Sequence, residues 1–453
     1  MLIKEEAGRL KFIKLEPVQI LALGFATVIF IGALLLCLPI SSADGNSTPF
    51  IDCIFTSTSA VCVTGLVTLD TGTHWSIFGQ LIIIILIEIG GLGFMTFATF
   101  FAVILGRRIS LRERLIMQEA FNAFNIQGMV RLMLYVMGIT FAIEGIGAII
   151  LMTQFIPMYG IAKGIYYGIF HAVSAFCNAG FDLIGDFKSL TPFVENTTIN
   201  LTICSLIVIG GIGFAVVTEI INNRGFKRLS LHTKVVLTTT AILILSGAVL
   251  FFLFEYANPK TMQPLSLKGK ILASIFAAIT PRTAGFNTIS TSDMTTAGKF
   301  LTIILMFIGA SPGSTGGGIK TSTFTLIFMT VISVIRGRED TEIFRKRIGR
   351  SLVYRALAII IISFGLVMLT TMILSITQEG DFIEYLYEAT SAFGTVGLTL
   401  GLTTRLTLIG KIIIIITMYA GRVGPLTLTF AFARRAQIGN TNVKYPEDKL
   451  LVG

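Results

Sequence analysis

Ser391-Ala392-Phe393-Gly394-Thr395-Val396-Gly397-Leu398-Thr399-Leu400-Gly401-Leu402 is the stretch whose reading decides the fold. Its centre, Gly394-Thr395-Val396-Gly397, follows a short amphipathic run, Phe382 to Phe393, and precedes another apolar segment. Three imperfect copies of its centre lie upstream: Val61-Cys62-Val63-Thr64-Gly65-Leu66, Phe176-Cys177-Asn178-Ala179-Gly180-Phe181 and Pro281-Arg282-Thr283-Ala284-Gly285-Phe286. Each ends in Gly followed by Leu or Phe. The glycines Gly65, Gly180, Gly285 and Gly397 are 115, 105 and 112 residues apart. A regular period of this length marks an internal repeat, and the repeat governs every other fold decision.

The 453 residues are 53% hydrophobic and 13% charged, with a mean hydropathy of +0.83. Soluble domains carry about 25% charged residues, so the chain is a membrane protein. Crossing the hydrocarbon takes about 20 apolar residues. Eight runs qualify: 18–38, 78–105, 130–152, 199–221, 234–255, 300–332 (interrupted), 352–376 and 407–431. Between the members of each pair lies a segment of 10–12 residues, which suits a re-entrant helix better than a span. The expected architecture is an all-α membrane protein. Its eight transmembrane helices form four pseudo-fourfold helix–pore-loop–helix repeats around one pore. The boundaries are a cytoplasmic N-terminus at 1–16, repeats at 17–106, 107–225, 226–335 and 336–436, and a cytoplasmic tail at 437–453. The five cysteines show no paired spacing, which argues against a disulfide framework or a metal site.

A net charge of +10 raises the question of nucleic acid, but its distribution points elsewhere. With loops assigned by alternation, 24 of the 35 Lys and Arg residues fall on one side and 9 on the other, with Lys320 and Arg422 inside spans. The positive-inside rule then puts both termini in the cytoplasm and the four glycine motifs towards the outside. The expected surroundings are membrane lipid, with no nucleic acid. A docking role for the basic loops 224–234 and 336–350 and the C-terminal tail comes second.

Ile89-Gly90-Gly91-Leu92-Gly93-Phe94 in the first repeat returns as Ile209-Gly210-Gly211-Ile212-Gly213-Phe214 in the second. Close helix packing explains such glycines, and the echo supports the repeat independently. Glu88, Glu144 and Glu219 fall inside spans, where each suits either the pore or a bond to a neighbouring helix. In the third repeat Gly309-Ala310-Ser311-Pro312-Gly313-Ser314-Thr315-Gly316-Gly317-Gly318 cannot stay helical. Irregular backbone at that depth must be buried in protein or line a water-filled cavity. A phosphate-binding loop fails on spacing, because Ile319 separates Gly318 from Lys320-Thr321. The fourth repeat places Arg422 in mid-span. Its expected role is the electrostatic half of a gate shared with Gly309–Gly318; a salt bridge to one of the three acids is the structural alternative.

Thr-Val-Gly is the backbone fragment that lines potassium-selective filters, where carbonyls replace the ion's water shell. Glycine tolerates the dihedrals such a strand needs. Four short helices ending at one axis would bring about −0.5 charge apiece, so the absence of Asp and Glu from the motifs is no obstacle. The expected ion-lining residues are Val63, Thr64 and Gly65; Asn178, Ala179 and Gly180; Thr283, Ala284 and Gly285; and Thr395, Val396 and Gly397.

Four span–pore–span units with one Gly per filter, the Gly-rich break and the mid-span Arg together resemble the Trk/Ktr/HKT superfamily. Within it the chain is most similar to the membrane subunits of bacterial Ktr potassium uptake systems. Ser-Ala-Phe-Gly-Thr-Val-Gly-Leu and Pro-Arg-Thr-Ala-Gly-Phe-Asn carry the likeness, which runs from about Leu15 to the C-terminus. It implies a plasma-membrane homodimer with one pore per subunit and a cytosolic nucleotide-binding regulatory ring of the RCK type as partner. It also implies potassium as the transported ion, with sodium as an activator. Cys62, Asn178 and Arg282 depart from Thr-Val-Gly, so selectivity should be looser than in a symmetric tetramer. Sodium as the main cargo is the open alternative. A secondary transporter would show inverted repeats, and no catalytic cluster lies in the spans, so an enzyme is not expected.

Overall fold

The computed structural model describes residues 16–107, 109–121, 128–223 and 225–424. Most of the N-terminal segment, Arg224 and everything after Gly424, including the end of the last expected span, lie outside them. The first repeat folds as α1 (Pro17–Leu36), α2 (Phe50–Val61), α3 (Ile77–Leu92) and α4 (Phe94–Ile104). After α5 (Leu111–Phe121) the second comprises α6 (Met129–Tyr159), α7 (Ile161–Phe176), α8 (Thr197–Gly211) and α9 (Phe214–Asn222). The third runs α10 (Leu231–Glu255), α11 (Leu267–Ile279), α12 (Thr296–Phe307) and α13 (Thr321–Ile335). A hairpin, β1 (Thr341–Ile343) and β2 (Lys346–Ile348), precedes α14 (Arg350–Thr377), α15 (Phe382–Gly394) and α16 (Leu408–Val423).

The four first helices α1, α6, α10 and α14 are each long and apolar enough to cross a bilayer. They expose large apolar side chains such as Phe30, Ile149, Leu253 and Ile361. Polar side chains are instead gathered inside on α2, where Thr56, Ser57, Thr58 and Ser59 are fully buried. That inversion suits a lipid surround with a polar axis. Each short helix packs on the long helix before it, in the pairs α1–α2, α6–α7, α10–α11 and α14–α15. The third element of each repeat packs on the short helix of the next: α3 on α7, α8 on α11, α12 on α15, and α16 back on α2. The contacts run in one direction and close.

Local chemistry repeats with the packing. The helices α3, α8, α12 and α16 all open on a side-chain cap, from Ser76, Asn196, Thr295 and Thr407 to a backbone N–H three residues on. Such caps satisfy otherwise orphaned donors.

One expectation is corrected. The second spans of the first two repeats are not continuous: α3 and α4 meet at 96°, and α8 and α9 at 98°. The breaks fall at Gly93 (φ 83°) and Gly213 (φ 96°), dihedrals no helix accommodates. The Gly-Gly pairs before them do serve close packing. A Cβ on Gly90 would lie 2.0 Å from the Val61 carbonyl oxygen, and one on Gly210 1.9 Å from that of Phe176. The repeated hexapeptide therefore encodes both a close approach and a bend.

Candidate ion pathway

The short helices α2, α7, α11 and α15 end just before the four Gly-centred strands. The strands leave them by a shared turn: Thr64, Ala179 and Val396 donate backbone N–H bonds to the carbonyls of Ser59 (2.8 Å), Ser174 (2.8 Å) and Ser391 (2.9 Å). Those serines also work through their hydroxyls. Ser59 accepts from Gly65 N (3.0 Å), Ser391 accepts from Gly397 N (3.1 Å), and Ser174 donates to Phe181 O (2.7 Å). In the third strand Thr280 substitutes, its carbonyl accepting from Ala284 N (2.9 Å) and its hydroxyl donating to Phe286 O (2.5 Å).

Each glycine has positive φ, at 87° for Gly65, 71° for Gly180, 82° for Gly285 and 93° for Gly397. So has the residue two before it: Val63 (50°), Asn178 (58°), Thr283 (74°) and Thr395 (51°). Left-handed backbone costs a non-glycine residue about 1–2 kcal/mol, so the surrounding structure enforces it. Alternating left-handed with ordinary residues turns successive carbonyls to one side of a strand.

The strands form a closed ring. A Cβ on Gly65 would lie 2.4 Å from Ala179 O, and one on Gly180 2.7 Å from Ala284 O. One on Gly285 would lie 2.5 Å from Val396 O, and one on Gly397 2.2 Å from Thr64 O. The four glycines also line the floor of an open vestibule of about 490 Å³, together with Asp70 and Asp182. Burial pushes the Asp182 carboxyl up to about 7, and neighbouring Asp70 pushes the same way.

On the other side of the ring lies the stretch 309–318, between α12 and α13. It is bonded to the second and fourth repeats, and Arg422 links it to the first. Ser311 N and Thr315 N donate to Gly211 O (3.0 Å) and Gly210 O (3.3 Å), and Gly317 N donates to the Thr395 hydroxyl (3.0 Å). Arg422 donates to the carbonyls of Thr315 and Gly90, and to Gly91 O at 3.1 Å. Lys320 donates to Gly316 O at 2.7 Å. Thus Gly309, Ala310, Ser311, Pro312, Gly313, Ser314, Thr315, Gly316, Gly317, Gly318 and Arg422 form one connected unit.

The salt-bridge alternative for Arg422 is replaced by carbonyl partners. Glu88 and Glu144 instead meet Cys177, whose thiol donates at 3.2 Å and 3.9 Å, beside a lateral apolar crevice of about 350 Å³. Their ligand atoms and the thiol lie within 4.8 Å of one another, a grouping hidden from spacing because three helices supply it. Glu219 is not a mid-span acid: it sits past the Gly213 bend and accepts from Ser230 N at 2.6 Å, at the start of α10. His171 accepts from Leu183 N (3.4 Å), while its Nδ1 meets Tyr167 O (2.7 Å). The Asn178 side-chain amide, with its nitrogen assigned to the inner position, reaches Ala175 O and Ile207 O, both at 3.2 Å. Sequence reasoning missed the vestibule acids and the Lys320 anchor. The serines were legible as Ser-Ala six residues before the glycine in three copies.

A helical shell with lipid-facing flanks and a ring of glycine-centred strands defines a membrane protein of the cation-transporter class. The chain belongs to the TrkH family of cation transport proteins, whose model matches residues 12–441. It is 45% identical to the Ktr system potassium uptake protein B of Bacillus subtilis (strain 168), over 98% of each chain. It is 44% identical to the potassium/sodium uptake protein NtpJ of Enterococcus hirae, over 97% of this chain and 98% of that one. The crystal structure of the potassium transporter TrkH from Vibrio parahaemolyticus shares the fold. The TM-score is 0.72 at 17% identity, covering 94% of this chain and 86% of that one.

Proposed function

We propose that this chain carries potassium ions into the cell through the axis of the four-strand ring. Eight spans in pseudo-fourfold arrangement enclose it, with both termini cytoplasmic. The observation that carries the proposal is the cyclic contact of Gly65, Gly180, Gly285 and Gly397, each preceded by a left-handed residue. A potassium ion must shed water to enter. Carbonyls from four strands replace that water, and four helix C-termini add about −0.5 charge each. The vestibule acids concentrate cations before the ring.

The stretch 309–318 and Arg422 act as the gate on the cytoplasmic side of the ring. Opening requires the loop to leave its partners on the other repeats, so flux depends on an outside input. That input is a cytosolic nucleotide-binding ring of the RCK type, bound to a homodimer of this chain. The Bacillus relative is named as one protein of a Ktr system. The basic loops are the docking face: Phe226 and Phe344 pack at 6.4 Å, which joins the second-to-third repeat loop to the hairpin. Charge reversal across both loops should abolish pull-down of the cognate ring.

Sodium transport is the second reading, favoured by the unequal strands and by the potassium/sodium name of the Enterococcus relative. Uptake of each cation into proteoliposomes separates the two. Potassium preference over sodium is expected; equal uptake or sodium preference would reverse the assignment.

A further inference from the structure

Glu388 lies nine residues before Gly397 on α15 and is fully buried. Both carboxyl oxygens accept from hydroxyls on the outer limb of the fourth strand: Oε2 from Thr399 at 2.7 Å, and Oε1 from Thr403. Thr399 is two residues past Gly397 and lines the vestibule. Its hydroxyl also accepts from Gly401 N (3.0 Å), and its carbonyl accepts from the Thr291 hydroxyl of the third repeat (2.6 Å). One buried carboxyl thus holds the exit of the fourth strand and, through Thr399, ties it to the third repeat.

The same position in the other repeats is chemically different. Nine residues before Gly180 stands His171, which accepts from Leu183 N on the exit of the second strand. The first and third repeats carry Thr56 and Phe276 there. Around the ring the second and fourth strands face each other, so polar braces stand on opposite sides of the axis. Only the fourth is an acid. A buried carboxyl is costly unless its oxygens are satisfied, and here they are satisfied by hydroxyls of the strand exit rather than by a cation.

We propose that Glu388 is a positioning residue for cation selectivity, which fixes the carbonyls around Gly397 by holding Thr399 and Thr403. This role rests on the cation-pathway reading. Loosening that exit should let the ring adapt to a smaller ion.

The test measures potassium and sodium uptake by purified, monodisperse protein in proteoliposomes. A wild-type chain that passes neither cation would sink the pathway itself. With wild-type flux established, Glu388→Gln should lower potassium preference about fivefold, the size expected for one lost contact. Thr399→Val should do the same, and the double variant should be no worse than either. Thr399→Ser keeps the hydroxyl and should keep the preference. Should Glu388→Gln fail to fold, the Val and Ser variants at position 399 still decide the matter. Unchanged preference in folded Glu388→Gln or Thr399→Val, equal loss of both fluxes, or additive effects in the double variant would each overturn the role.

Discussion

Arg422 near the end of α16 donates a hydrogen bond to the carbonyl of Thr315, in the Gly-rich loop of the preceding repeat. The same guanidinium reaches Gly90 and Gly91 at the bend of the first repeat. A single side chain therefore clasps three repeats below the ring. A charge-assisted hydrogen bond contributes about 1.5–3 kcal/mol, a strength that suits the proposed gate, which has to hold and to release.

Arg422→Gln should therefore raise potassium uptake about tenfold without the regulatory partner, the factor that corresponds to 1.4 kcal/mol. Arg422→Lys keeps a charge but loses the fork that spans separate carbonyls, and should give an intermediate rise. Tracer uptake into proteoliposomes, normalised to folded protein, measures both. A stable Gln variant with slower or unchanged uptake contradicts the clasp.

Removing Gly313–Thr315 should raise flux with little change in ion preference. The deletion stops short of Gly317, because the Gly317 N–H is bonded to Thr395 on the fourth strand. Loss of preference together with faster flux would mean that the loop shapes the ring itself.

Gly65→Ser and Gly397→Ser should both lower potassium preference. The new Cβ would lie 2.4 Å and 2.2 Å from the neighbouring strand's carbonyl oxygen, and φ at each site is already positive. Because the contacts are cyclic, each change displaces the adjacent strand as well as its own. Paired sodium and potassium uptake assays would show no change if the glycines merely pack.

Cation capture should rise between pH 6 and pH 8. Asp182 titrates at about 7, above the ordinary carboxyl value of 3.8, because burial and Asp70 disfavour its charge. Below 7 it is neutral, and above 7 it adds a negative charge to the vestibule. The raised folded value also means that its contribution to stability is complete below about 4 and is lost as pH rises through 7. The KM for potassium should fall with rising pH, and Asp182→Asn should flatten that dependence. A profile unchanged by the substitution would assign the titration elsewhere.

Lys411 and Asp52 form an ion pair of 2.6 Å between α16 and α2, where the fourth repeat meets the first. Thr68 donates to the same Asp52 oxygen at 2.8 Å. Lys411→Met should destabilise the protein by about 3 kcal/mol, since it leaves a largely buried carboxylate without a cation. Lys411→Met with Asp52→Asn should recover most of that loss. Thermal unfolding in detergent reads both variants.

The sequence by itself determined the membrane class and the recurrence of the four glycines. Composition and a period of about 110 residues need no knowledge of distant contacts. The break at 309–318 was equally plain, since five glycines and a proline in ten residues cannot remain helical. Tertiary structure decided the rest. The bends at Gly93 and Gly213 look in sequence like packing glycines, because a positive φ leaves no mark on residue type when the residue is glycine. The left-handed turn at Val63, Thr283 and Thr395 is imposed against the preference of three β-branched side chains, and only Asn178 is of a type that adopts it readily, so local propensity does not announce the repeated turn. The partners of Arg422 were illegible for a simpler reason: they are backbone carbonyls, which every residue carries, and only folding selects which ones face a guanidinium.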